Sequence, residues 1–317
     1  MSDSIRTIAI MGATATGKSS LAIQLAFEQG GEVVSMDSRQ VYRGFDIGTG
    51  KVTREEQAMV PHHVIDVAEP SEVWSAGKHA TAAEAAVREI DSRGKVAILA
   101  GGTGLYFRAL FGGLVEVTIP ADEVARIRAT FEGVSTDELY RRLRSDDPAR
   151  AAELSANDRV RITRALELFI YTGLPASELY ARQPERESDI DYLKLVLSCP
   201  RELLRDRIAQ RTQALFDAGW VDEVSRLLRA GISEVSPAMN SLGYRTIASA
   251  LRGGMLSPSL IEDVVTETQQ YAKRQETFFR SERDAVWIDV SDEAWESRAR
   301  QLVGEFLRPE GGVGDAE

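Results

Sequence analysis

The sequence predicts an α/β protein, with a parallel β-sheet flanked by helices and interrupted by an all-helical segment. Three observations predict it. Short apolar runs alternate with helical periodicities through the first third of the chain, the pattern of a parallel sheet covered on both faces. From Asp122 to about Arg186 the texture changes to helical periods rich in arginine, without a strand pattern. Strand-like sequence then returns at Tyr192–Ser198 and Ala285–Val290. The chain therefore divides into a core over 1–120, a helical insertion over 121–188, and the remainder of the core with C-terminal helices over 189–310. Residues 311–317, glycine-rich and acidic, read as a disordered tail. With 317 residues, 43% of them hydrophobic, the chain can bury a core of one large or two modest domains.

The first strand, Thr7–Met11, runs into Gly12-Ala13-Thr14-Ala15-Thr16-Gly17-Lys18-Ser19, and a helix follows over Leu21–Phe27. This run meets the P-loop pattern at every required position, in the strand–loop–helix setting the motif needs. The core is accordingly P-loop NTPase-like. The glycines let backbone N–H groups converge on phosphate oxygens, Lys18 adds charge, and the Ser19 hydroxyl is placed to ligate Mg²⁺. A second strand, Glu32–Met36, ends at Asp37, and Trp74-Ser75-Ala76 marks the start of a helix spanning roughly His79–Ile90. The third strand, Val96–Ala100, ends in Gly101-Gly102-Thr103-Gly104. Later helices are expected at Arg201–Ala218, ended by Gly219, at Val221–Ala230, ended by Gly231, and at Ser259–Arg283. Gly243-Tyr244-Arg245 reads as a loop-to-helix transition, and no fixed-period repeat is present.

Composition narrows the class. The sequence shows no secretory leader and no apolar run long enough to span a membrane. A lone cysteine, Cys199, excludes an internal disulfide and fits a reducing cytosol; it reads as a small buried residue. The net charge of −11 argues against indiscriminate nucleic-acid binding but leaves room for a locally basic face. His62, His63 and His79 lack the cysteine or acidic company of a zinc site.

Ligands of open parallel sheets bind beyond the carboxyl ends of the strands, so the strand-ending residues carry the candidate chemistry. The third strand ends without the acid that hydrolytic P-loop proteins use to hold their metal, which argues against a motor ATPase or a GTPase. Asp37 reads either as an outer-shell Mg²⁺ ligand or helix cap, or as a general base beside a phosphorylated electrophile. Thr103 can orient the same nucleophile or close a tight glycine turn. Arg207 and Arg211 share one helix face, where an arginine can grip phosphate or simply pair with Glu202 and Asp206. Two stretches suggest RNA: Arg159, Arg161 and Arg164, and the run Tyr271 to Arg280, where cations interleave with aromatics. Ordinary helical amphipathicity gives a similar pattern.

These residues resemble one family, the tRNA dimethylallyltransferases, also called tRNA isopentenyltransferases. The most specific run is Asp37-Ser38-Arg39-Gln40-Val41-Tyr42-Arg43-Gly44 through Asp46-Ile47-Gly48-Thr49. It is joined, in order, by Pro61 to Asp66, Gly101 to Tyr106, Asn157-Asp158 with Arg161 and Arg164 to Glu167, Gly243-Tyr244-Arg245, and Lys273-Arg274-Gln275. The resemblance spans Ile8 to Trp287. It implies transfer of a dimethylallyl group from dimethylallyl diphosphate to N6 of the adenine 3′ of the anticodon, in tRNAs reading codons that begin with U. By the same resemblance, Asp37 is the base, Thr103 helps position the amine, and Arg211 assists the departing diphosphate. Gly12, Thr14, Ala15, Thr16, Gly17, Lys18 and Ser19 are expected to hold that diphosphate with Mg²⁺. Ser38, Arg39, Gln40, Val160, Arg161, Arg164, Gly243, Tyr244, Arg245, Lys273, Arg274, Gln275 and Arg280, with Asp37, are expected to contact tRNA. The insertion becomes a tRNA-binding domain, and the enzyme a cytoplasmic monomer of the bacterial form.

Gly50, Glu276, Phe278 and Asn240-Ser241-Leu242 depart from the family's usual residues, and the P-loop carries Ala13 and Thr16 where Pro and Ser are usual. The rival reading is a small-molecule or nucleoside kinase, which must use ATP. A non-catalytic RNA-binding module leaves Asp37 and Thr103 unused.

Overall fold

A computed structural model describes residues 4–113, 117, 119–182, 188–254, 257–282 and 284–308; the predicted tail at 311–317 lies outside them. The chain forms two compact units, Met1–Phe111 with Ser188–Glu317, and Gly112–Glu187.

In the first unit, β1 (Ile5–Gly12) leads through the P-loop into α1 (Lys18–Gln29), followed by β2 (Glu32–Ser35). Next come α2 (Arg54–Met59), β3 (His62–His63), α3 (Ala76–Ser92), β4 (Ala97–Ala100) and α4 (Gly104–Gly112). The two-residue strand β3 was not expected; it extends the sheet by pairing with Val33 and Val34. The Gly112–Glu187 unit consists, among its described residues, of α5 (Ala121–Ala129), α6 (Thr136–Asp146), α7 (Pro148–Glu153), α8 (Arg159–Thr172) and α9 (Ala176–Ala181). It has its own core, in which Phe131, Leu139, Leu143, Ile162 and Leu166 are buried.

The chain returns as β5 (Ile190–Ser198), α10 (Arg201–Asp217), α11 (Trp220–Arg229), α12 (Tyr244–Arg252), α13 (Leu260–Phe279), β6 (Val286–Asp289) and α14 (Trp295–Leu307). Gly219 does more than end α10: at φ +98° it is the N-cap of α11, and the two helices are nearly continuous in sequence. Helix α13 stops at Phe279 rather than at residue 283.

All strands pair in parallel, in the order β3-β2-β4-β1-β5-β6. β1 lies between β4 and β5, with Ile10 level with Ala100 on one side and Leu195 on the other. Both neighbours reach their carboxyl ends where β1 becomes the P-loop, and the chain leaves β1 and β5 in opposite lateral directions. That switch point is where such sheets take ligands. The strands read as continuous apolar runs because both faces are covered: Ile8, Ala9, Ile10 and Met11 are all fully buried.

Candidate active site

The P-loop is shaped by close backbone approach. Gly12 has φ +139°, and a Cβ there would lie 2.4 Å from the carbonyl oxygen of Leu197 on β5, so no larger residue fits. Inside the loop the buried Thr16 hydroxyl donates to Ala13 O at 2.9 Å and braces the turn. Thr16 was expected among the diphosphate ligands; its hydroxyl is spent internally. Gly17 is the N-cap of α1 and offers no side-chain cap, and the first turn carries no acid. The first amides of a twelve-residue helix therefore remain available to an anion.

Around this loop lies a cavity of about 340 Å³, lined by Thr14, Lys18, Ser19, Asp37, Arg211, Tyr271 and Gln275 among others. Its cations are poised for an anion. Lys18 is lowered from its ordinary value to about 7, chiefly by burial and then by the charge of Arg211, with Asp37 opposing. Burial also lowers Arg211, again opposed by Asp37. Arg211 Nη1 donates to the Thr14 hydroxyl at 3.0 Å, which brings α10 onto the P-loop. Two cations, both held below their ordinary values and facing one carboxylate, form a site that gains energy when a multiply charged anion enters.

Asp37 follows the end of β2 after one residue, Met36. Its Oδ1 accepts from the backbone amides of Arg39 at 2.7 Å and Gln40 at 3.3 Å, so the carboxylate caps its own turn and is fixed in place. The capping and chemical readings of Asp37 are thus compatible, since one oxygen suffices for the cap. The end of β2 is anchored from behind by His79, fully buried on α3. Its Nε2–H donates to Ser35 O at 3.0 Å while its Nδ1 accepts from Trp74 Nε1 at 3.1 Å. Burial pushes this imidazole down to about 4.

Thr103 is not on the cavity wall. Its hydroxyl accepts from the Ser38 amide at 3.1 Å and bonds to Tyr271, whose phenol lines the cavity in its place. Burial and the neighbouring Asp37 push Tyr271 up to about 12, so it stays a neutral donor. The loop after Asp37 is held by Glu223 of α11. This buried carboxylate accepts from the amides of Asp46, Ile47 and Gly48 at 3.0, 2.7 and 3.2 Å and from the Tyr244 hydroxyl at 2.6 Å. Gly48 must be glycine, since a Cβ would lie 1.9 Å from Trp220 Nε1. Gln40 Nε2 donates to Gly50 O at 3.1 Å and staples the same loop.

Several residues expected to face tRNA turn inward. Gln275 is 6% exposed and spends its amide on Thr14 and Gly102. Tyr244 is fully buried, and Gly243, at φ +79°, caps α12 against Trp220. By contrast Arg245, Lys273, Arg274 and Arg280 are exposed, and Ser38 and Arg39 are partly so. In the Gly112–Glu187 unit Val160 is 78% exposed, and Arg161 is exposed beside Asp158. Arg164 pairs with the buried Glu167 at 3.2 Å, and Arg159 caps the Phe131 and Val134 carbonyls from within.

A metal would find Ser19 and Asp37 on one cavity wall. Mg²⁺ takes few protein oxygens and completes its shell with phosphate and water, so this small donor set fits it. Among the described residues no helix is long and apolar enough to cross a membrane.

Comparison with known proteins agrees with this geometry. An IPP transferase family model matches residues 40–282. The tRNA dimethylallyltransferase of Geobacter sulfurreducens is 44% identical over 90% of this chain and 92% of its own, and tRNA dimethylallyltransferase 1 of Citrifermentans bemidjiense is 43% identical with the same coverage. Among solved structures, the tRNA isopentenylpyrophosphate transferase of Bacillus halodurans superposes with a TM-score of 0.70 at 32% identity, covering 96% of this chain and 97% of that one. A eukaryotic dimethylallyltransferase acting on tRNA gives 0.80 at 28% identity, covering 96% and 81%. The chain belongs to the tRNA dimethylallyltransferase, or IPP transferase, family.

Proposed function

We propose that this protein transfers the dimethylallyl group of dimethylallyl diphosphate to N6 of the adenine 3′ of the anticodon, in tRNAs that read codons beginning with U. The carrying observation is the pairing of Lys18 and Arg211 against the single carboxylate of Asp37 in one cavity. A kinase reading is not favoured, because the family is one of prenyl transfer.

In the reaction the N6 lone pair attacks C1 of the allyl group. The C1–O bond breaks, its electron pair leaves on diphosphate, and Asp37 accepts the N6 proton. Negative charge grows on the departing oxygens, where Lys18, Arg211 and the α1 amides stabilise it. Ser19, with Asp37 on the same cavity wall, would hold a Mg²⁺ ion, which when bound would supply further neutralisation of the leaving group. The Tyr271 hydroxyl, backed by Thr103, orients the base being modified. An unpaired loop adenine can be flipped into such an enclosed site. We assign tRNA contacts to Ser38, Arg39, Arg245, Lys273, Arg274 and Arg280, and to Val160, Arg161 and Arg164 of the Gly112–Glu187 unit. That unit is then a tRNA-binding domain, and the protein a cytoplasmic monomer.

Purified protein with Mg²⁺, labelled dimethylallyl diphosphate and unmodified tRNA should label the tRNA without nucleotide. Labelling that required ATP, or none with a competent tRNA, would overturn the reading.

A further inference from the structure

The base and the phosphate cradle stand on different strands, and the loop after β4 lies between them. Thr103 N donates to Met36 O at 3.3 Å, and the Ser38 amide donates to the Thr103 hydroxyl at 3.1 Å. The 101–104 loop and the turn that carries Asp37 are thereby held as one piece. On its other side this loop keeps the ladder bond from Gly101 N to Ile10 O at 3.2 Å, after which β1 continues into the P-loop and the two chains separate.

Gln275 of α13 spans that separation. Its Oε1 accepts from the Thr14 backbone N–H at 2.9 Å, and its Nε2 donates to Gly102 O at 2.8 Å. Gly102 admits it, since a Cβ there would lie 2.1 Å from that Nε2. One turn earlier on the same helix, Tyr271 bonds to Thr103, so α13 grips the 101–104 loop twice and the P-loop once. Gln275 is buried, so both ends of its amide need partners. An N–H on one side and a carbonyl on the other call for an acceptor and a donor at the tip of one side chain. Glutamine supplies both; an ionised glutamate lacks the donor.

The reaction makes this span matter. Asp37 presents the N6 amine, and the P-loop holds the diphosphate that carries C1. The reacting atoms must approach to about 3–3.5 Å in line, and a misplacement of about 1 Å can cost roughly 10²-fold in rate. The separation of the Asp37 turn from the P-loop is therefore a dimension on which the rate depends. One chain of contacts that sets it runs from that turn through the 101–104 loop and Gln275 to Thr14.

We infer that Gln275 is a positioning residue for prenyl transfer, locking the diphosphate cradle in register with the base that activates the amine. The inference rests on the proposed function for the reaction whose geometry it sets.

The test is single-turnover labelling of unmodified tRNA by the full chain, with Mg²⁺ and labelled dimethylallyl diphosphate and with both substrates saturating. Separate titrations follow binding of inorganic diphosphate and of tRNA. Gln275→Ala, shown folded by its melting curve, is expected to slow the transfer step by roughly 10–10²-fold while neither affinity falls. Should Gln275→Ala not fold, Gln275→Glu keeps the side-chain volume and the bond from Thr14 but loses the donor to Gly102 O, and it is expected to be slowed with the same split between rate and affinity. A folded variant that transfers at the wild-type rate overturns the inference. So does a deficit that a higher concentration of tRNA or donor removes, since that marks Gln275 as a binding residue. Wild-type protein that labels no tRNA refutes the functional reading and this inference with it, whereas an active wild type with an equally fast variant overturns this inference alone.

Discussion

Lys18 makes diphosphate binding pH-dependent in a direction that the structure dictates. In the unliganded cavity its pKa is depressed to about 7 by burial and by Arg211. A bound diphosphate reverses the balance and favours the charged amine, so binding above pH 7 must draw in a proton. A group with this pKa is about 25% protonated at pH 7.5 and about 1% protonated at pH 9, so affinity should fall roughly 20-fold between them. At pH 8 binding should take up close to one proton. Calorimetry in buffers of different ionisation enthalpy measures that uptake. The diphosphate titrates too, so Lys18→Met is the control: it binds more weakly at every pH and should lack the Lys18-linked uptake. Uptake near zero in wild type after subtraction of the variant would refute the argument, and would mean that Lys18 stays charged in the empty cavity.

Asp37→Ala should cut prenyl transfer by roughly 10²–10⁴ under saturating donor, as measured by single-turnover labelling. Arg211→Ala should lower turnover by roughly 10²–10³, as for loss of one donor to a developing oxyanion. It should also shrink proton uptake at pH 8, because the charge that depresses Lys18 is gone. Glu223→Ala strands three backbone amides and the Tyr244 hydroxyl, and denaturant melts should show a loss of about 3 kcal/mol or more. His79 titrates near 4 when folded and near its ordinary 6.5 when unfolded, so the unfolded chain binds the extra proton between those values. Stability should therefore fall as pH drops from 6.5 to 4, by up to roughly 3 kcal/mol, and His79→Gln should flatten that part of the pH–stability curve.

Much of the site was legible because its parts are contiguous. The P-loop residues act through consecutive backbone amides, and Asp37 sits at a strand end, so spacing alone places them together. Arg211 could be suspected but not separated from Arg207 by sequence, since one helix face carries both. Gln275 and Tyr244 are buried, although they sit beside exposed cations in motifs that look RNA-facing. A signal for Gln275 did exist: Val264, Ala272, Gln275 and Phe279 recur at helical spacing on the buried face of α13. For Tyr271 standing in front of Thr103, no such signal exists, because their contact joins residues far apart in the chain.

By itself, the order of apolar runs and the P-loop determined a parallel α/β core with a helical interruption, and the family-specific runs determined the kind of transfer. Such features are local, and backbone periodicity and loop geometry are written in neighbouring residues. What the tertiary structure alone decided is which side chains share a space. It set Arg211 on Thr14, Gln275 between two loops, Tyr271 on Thr103 and Glu223 beneath the loop that follows Asp37. Each of these joins α10, α11 or α13 to loops more than 150 residues earlier in the chain. Burial and opposing charge at such meetings set the protonation of Lys18 and Arg211, and those quantities exist only once the chain has closed around them.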